Sequence, residues 1–208
     1  MSVERRVGVR LLTVCGSLQS RSANRAALVA AANVAVEQGA TVGEFDRLAE
    51  VPAFDPDRAE EQIAVVENWR RQVRIADAVL VAAPEYAGAV AGAVKNAFDW
   101  LVQSGELYRK PVAVLSAGTS GGYHARRMMA QTLTWQGAYV VAELGIASPR
   151  TKSDERGRLN DDATLAEIGF LTQILLQGPS MAADELVGLA TTVVESLDVD
   201  VVHVAPAM

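Results

Sequence analysis

VCGSLQSRSAN, residues 14–24, closes an apolar run, VGVRLLTV (7–14), and opens a helical pattern, ANRAALVAAANVAVEQ, that stops at Gly39. An aliphatic, β-branched run bounded this way predicts a strand buried on both faces. The turn between strand and helix holds a single glycine, Gly16. A turn built to carry a dinucleotide's pyrophosphate normally shows Gly-x-Gly-x-x-Gly, because the backbone must pass close to the ligand and the helix close to the strand. One glycine argues for the other common order of a doubly wound parallel sheet, 2-1-3-4-5.

The rest of the chain repeats the alternation of strand and helix. TVGEFD (41–46), DAVLVAA (77–83), PVAVLSA (111–117) and AYVVAEL (138–144) predict four further strands. A helix near 60–75 places Ile63, Val66, Trp69 and Val73 on one stripe, and one near 91–103 uses Val94, Ala97, Phe98, Leu101 and Val102. Further helices are predicted over about 122–136, 163–177 and 182–197, the last using Leu186, Leu189, Ala190, Val193, Val194 and Leu197. Ser22 or Asn24 is positioned to cap the first helix. The expected architecture is a flavodoxin-like α/β three-layer sandwich with a five-stranded parallel sheet of order 2-1-3-4-5. Residues 1–180 form its domain, and 181–208 extend it as a C-terminal helical extension of the same domain. In this order the ligand site lies where the loops after strands one and three converge. These loops are GSLQSRSAN and PEYAGAVAG.

Composition narrows the function class. The chain has 208 residues, half of them hydrophobic and 21% charged, with a formal net charge of −6. A negative chain is a poor partner for nucleic acid or for an anionic membrane surface. One cysteine allows no internal disulfide, and no charge-free apolar run is long enough to span a bilayer. The N-terminus lacks a signal-peptide pattern. A cytoplasmic location is expected.

The first loop supports two chemistries. Cys15 to Arg21 gives Cys-x5-Arg, the spacing of a cysteine-dependent phosphatase loop. Arginine is common enough in this chain for a lone cysteine to meet one by chance, and the only Asp-Pro pair, Asp55-Pro56, follows strand two rather than lying late in the chain. The spacing is therefore weak, and Cys15 reads as a small buried residue at a strand end. Ser17, Ser22 and Asn24 with a helix N-terminus instead make a phosphate cradle, to which Arg21 adds charge.

GSLQSRSAN followed by PEYAGAVAGAVKNAFDW (84–100) resembles the NAD(P)H-dependent FMN reductase family, which includes quinone, azo-dye and chromate reductases. The resemblance runs over roughly residues 8–150 and includes SAGTSGG (116–122). It implies an oxidoreductase that moves hydride from NADPH (or NADH) to FMN and then to a small-molecule electron acceptor such as free flavin or a quinone. It implies that Ser17, Ser22 and Asn24 bind the FMN phosphate, and that Pro84, Glu85 and Tyr86 line the isoalloxazine. Ser116, Ala117 and Gly118 would meet the far side of the flavin. Lys95, Asn96, Asp99 and Trp100 match a helix that positions the site and its dimer contact, and the family typically forms a homodimer or homotetramer. No side chain is expected to act as acid or base, because the cofactor carries the chemistry.

Four positions depart from the family pattern. Gln19 stands for an arginine, Ala87 for an asparagine, Ala89 for a serine and Ala91 for a proline. Losing the arginine weakens a charge-assisted bond to phosphate, which Arg21 is placed to replace. The departures leave a second reading open, a flavodoxin-like scaffold that carries electrons or binds a partner with its flavin lost. His124, Arg126 and Arg127 form a cluster that reads either as a dinucleotide-phosphate contact or as a solvated helix start. The acids of 153–162 read as a solvated loop, and His203 in the tail has no evident partner.

Overall fold

The computed structural model describes residues 8–199. Val7, expected to open strand one, and His203 lie outside the described residues. In chain order the strands are β1 (Arg10–Cys15), β2 (Thr41–Phe45), β3 (Ala78–Ala82), β4 (Glu85–Tyr86), β5 (Ala89–Val90), β6 (Pro111–Gly118) and β7 (Tyr139–Ala147). The helices are α1 (Ala23–Glu37), α2 (Ala64–Ile75), α3 (Gly92–Asp99), α4 (Tyr123–Trp135), α5 (Asp162–Gln177) and α6 (Ala183–Ser196). Five strands pair in parallel in the order β2-β1-β3-β6-β7, which is the expected 2-1-3-4-5 once the β4–β5 hairpin is set aside.

The strands are apolar on both faces because helices cover both. Along β3, Val79 and Val81 enter one core while Ala78, Leu80 and Ala82 enter the other. The first core is completed by α2, α3 and α4, the second by α1 and α5. Trp69 and Phe98 meet edge to face at 5.3 Å between ring centroids, and the Trp69 indole N–H donates to the Ala97 carbonyl at 2.7 Å. Asn96 and Trp100 of the KNAFDW stretch tie down the loop after β2. The Phe54 N–H donates to Asn96 Oδ1 at 2.7 Å, and both Asn96 Nδ2 and Trp100 Nε1 donate to the Pro52 carbonyl, at 2.8 and 2.9 Å.

Helix α6 follows the outer strand β7 and contributes to both cores. Leu186 and Ala190 join the core of α1 and α5, while Val193, Val194 and Leu197 join the opposite one. It thereby covers a sheet edge whose open N–H and C=O groups would otherwise invite pairing with another chain. Its C-terminal turn is fastened to α4, where the Tyr123 hydroxyl donates to the Leu197 carbonyl at 3.3 Å and Arg127 Nε to the Asp198 carbonyl at 2.8 Å.

Three details differ from the sequence-based expectation. Neither Ser22 nor Asn24 caps α1: Ser22 occupies the cap position without a side-chain bond, and Asn24 reaches elsewhere. Helix α3 ends at Asp99, and the expected stripe beyond it belongs to tight turns in which Leu101 and Val102 N–H groups bond three residues back. Leu101 is buried there, but Val102 is exposed. Helix α2 begins at Ala64 rather than near 60, with Ile63 extended at its cap position.

Candidate functional site

A groove of about 1440 Å³ opens where the loops after β1, β3, β6 and β7 meet. Three of these loops are fastened to one another. The Gly16 N–H donates to the Ala82 carbonyl at 2.8 Å, and a Cβ at Gly16 would lie 2.8 Å from that oxygen and 2.8 Å from Pro84 Cδ. Only glycine permits this approach of the first loop to the third. Asn24 ties the first loop to the one after β6. Its Nδ2 donates to the Ala117 carbonyl and its Oδ1 accepts from the Ala117 N–H, both at 3.0 Å, with the side chain buried. Glu85 ties the third loop to α4, its carboxylate accepting from the N–H groups of His124 at 2.8 Å and Ala125 at 3.2 Å. A carboxylate at a helix start satisfies orphan donors and meets the positive end of the helix dipole.

The sequence-predicted residues separate into wall and support. Gln19, Arg21, Ser22, Asn24, Pro84, Glu85, Tyr86, Ala117 and Gly118 line the groove. Ser17 is buried and is not on the wall; its hydroxyl accepts from the Gln19 N–H at 3.3 Å and so shapes the loop. Ser116 is fully buried, and among the described residues its hydroxyl has no hydrogen-bond partner. It lies against Gly122, where φ is +63° and a Cβ would fall 2.0 Å from Ser116 Oγ. Ala87 sits at the tip of the β4–β5 hairpin and is also off the wall. Arg126 is bound to the Gly121 carbonyl and ion-paired with Glu143, and Arg127 is bound to Asp198, so both guanidiniums of the His124 cluster are engaged within the chain.

Sequence reasoning missed the fourth side. Residues 148–151 and 153–160 also line the groove. Their contribution depends on where β7 ends in space, and a run of mixed charges carries no sign of that.

The phosphatase chemistry does not fit this geometry. Cys15 is buried, its thiol directed to the Ser17 carbonyl at 3.6 Å, and burial pushes its pKa up. A nucleophilic thiolate needs an exposed, electropositive setting that lowers it. The residues do fit FMN. With no side-chain cap, α1 leaves its first-turn N–H groups for a phosphate, beside Ser22 and Arg21. Ala117 and Gly118 keep the wall low where a flat ring would lie.

Comparison with known proteins agrees. Residues 9–152 match the family model described as NADPH-dependent FMN reductase. An NAD(P)H-dependent FMN reductase of Pseudomonas aeruginosa is 37% identical over 161 residues, covering 74% of this chain and 86% of that protein. A quinone reductase of Escherichia coli is 30% identical over 174 residues, covering 79% of this chain and 92% of that protein. Among solved structures, the flavoenzyme NAD(P)H:(acceptor) oxidoreductase FerB of Paracoccus denitrificans superposes with a TM-score of 0.69 at 20% identity, covering 83% of this chain and 97% of that one. This last likeness is one of fold.

Proposed function

The chain belongs to the NADPH-dependent FMN reductase family and is an NAD(P)H-dependent FMN oxidoreductase, and from that premise we propose how its own residues hold the cofactor. The uncapped first turn of α1, the Ser22 hydroxyl and Arg21 receive the FMN phosphate. Gln19 adds a neutral amide where an arginine is usual. Pro84, Glu85 and Tyr86 flank the isoalloxazine on one side, Ala117 and Gly118 on the other. Ser17, Ser116 and Ala87 shape the loops from behind. Asn24 acts by fastening two loops together, since its amide is committed to Ala117.

Bound FMN supplies the hydride-accepting chemistry, which no side chain at the site provides. The chain's part is orientation. Three mutually fastened loops keep phosphate site and ring site at a fixed separation, which is what positioning a reactive ring against a second ligand requires. The acceptor is a quinone or free flavin, the quinone suggested by the Escherichia coli relative's name.

The active form is a homodimer or tetramer. Tyr123, Met128 and Trp135 of α4 are exposed, as are Val102 and Tyr108 in the turns after α3. Large apolar side chains left outside the core are what a protein partner would cover. Among the described residues no helix is long and apolar enough to cross a membrane, and we place the enzyme in the cytoplasm.

The observation that carries this reading is the groove that brings an uncapped helix start together with the loops after β3 and β6. The test is the visible spectrum of the protein after addition of FMN and gel filtration, followed by anaerobic NADPH. Retained oxidised-flavin absorbance that bleaches on addition is expected. A colourless protein that leaves NADPH unoxidised would overturn it.

A further inference from the structure

Resting on the reading above, we propose that the segment after β7 supplies a second, sequence-distant phosphate-binding wall, in which Arg150 and Arg156, lining the same groove as Arg21, bind a phosphate monoester. Two ligands of this enzyme class carry one, the 5′-phosphate of FMN and the 2′-phosphate of NADPH.

Five arginines line the groove of a chain whose net charge is −6. Two are already neutralised: Arg25 pairs with Glu44, and Arg158 with Asp154 at 2.8 Å. Among the described residues, no hydrogen bond or ion pair engages the side chains of Arg21, Arg150 or Arg156. Unpaired guanidiniums lining one groove favour an anion, and their planar fork suits phosphate oxygens.

The segment is built to present them. Pro149 is buried, and the backbone N–H groups of Arg156 and Arg158 both donate to Asp154 Oδ1 at 2.9 Å. Ser153 pairs with Leu159 in an isolated bridge, closing a tight turn around Gly157, whose φ is +78°. The Asp154 charge is spent inside this turn, on Arg158 and two backbone donors, so it does not cancel Arg156. The turn is thus ordered before any ligand arrives, which lowers the entropy lost on binding. The wall also answers the departure at Gln19. A site with a neutral glutamine at position 19 then has, besides Arg21, the cations of this segment.

The test compares ligand pairs that differ only in the phosphate, on Arg150→Ala, Arg156→Ala and the double variant. Calorimetry with FMN against riboflavin reads the flavin phosphate. Calorimetry of the FMN-loaded protein with adenosine 2′,5′-bisphosphate against adenosine 5′-phosphate reads the dinucleotide phosphate. The double variant is expected to lose about tenfold or more on the phosphate-bearing member of one pair and little on the other member, as removal of a charge-assisted bond predicts. Loss in the first pair assigns the wall to FMN, and loss in the second assigns it to NADPH. Arg71→Ala, on the opposite layer, should change neither pair. Ratios unchanged in both pairs would overturn the wall while retained FMN and NADPH oxidation left the family reading standing. Failure of wild-type protein to bind FMN at all would instead remove the reading itself.

Discussion

Ala87 holds φ at +52° and its neighbour Gly88 at +72°, the two loop positions of the β4–β5 hairpin. A two-residue hairpin loop with both φ angles positive is the setting in which Asn-Gly is favoured, because asparagine tolerates the left-handed region and alanine does not. The sequence alone suggests that replacing asparagine here removes a polar hold on the flavin. The structure gives the position a backbone task instead, away from the groove wall. Ala87→Asn is therefore expected to stabilise the protein by about 1 kcal/mol, read as a rise in thermal midpoint. A midpoint that stays put or falls would show that the turn bears no strain at this residue. Asn24 teaches the same lesson. Its residue type suits a phosphate cradle, and nothing in the local sequence shows that its amide matches the backbone of Ala117, 93 positions away. Ser22 and the PEY stretch were legible as site residues because each lies in a loop directly after a buried strand, where this sheet order puts a ligand. The fastenings between loops were not, because each joins distant parts of the chain.

At the scale of elements, buried strands and long helices were legible from periodicity, and their ends were not. The tight turns after α3 keep apolar residues at nearly helical spacing, so the pattern overruns the helix. The four-residue pairing of β4 with β5 is too short to show alternation. Helix α5 shows a cap signal that does work as its residue type suggests. Asp161 accepts from the Thr164 N–H at 2.9 Å and from the Thr164 hydroxyl at 2.7 Å, and these bonds hold its carboxyl below the usual aspartate range. A depressed carboxyl pKa adds stability above the unfolded value, about 3.9, and that contribution disappears as pH falls through the lower folded value. Asp161→Asn is expected to flatten the decline of stability below about pH 4 while keeping a neutral cap. Acid unfolding curves that superpose for the two proteins would contradict this. The cap matters to the site because the first turns of α5 carry Leu165 and Ile168 on the groove wall.

For the whole molecule, α6 is, among the described residues, the helix that contributes buried side chains to both cores. Leu197 is nearly fully buried in the core of α2, α3 and α4, and its carbonyl holds Tyr123 at the start of α4. Leu197→Ala should cost about 2–5 kcal/mol, the range for emptying a buried leucine site. Urea unfolding gives the value directly, and a midpoint equal to wild type would mean that α6 is an ornament on a sheet already complete. The route from α6 to the flavin loops is short: its last turn holds α4, and the first N–H groups of α4 hold Glu85.

The cover that α6 lays over β7 also has a history. Synthesis runs from the N-terminus, so β7 leaves the ribosome before the helix that shields it. For that interval the growing chain carries a nine-residue strand, Tyr139–Ala147, with one side open and apolar groups still without their lid. Nascent chains in that state are the ones that cross-pair with neighbours or require a chaperone. The helix that completes the sheet is thus also a timer, since the vulnerable interval lasts as long as the ribosome takes to translate from β7 through α6.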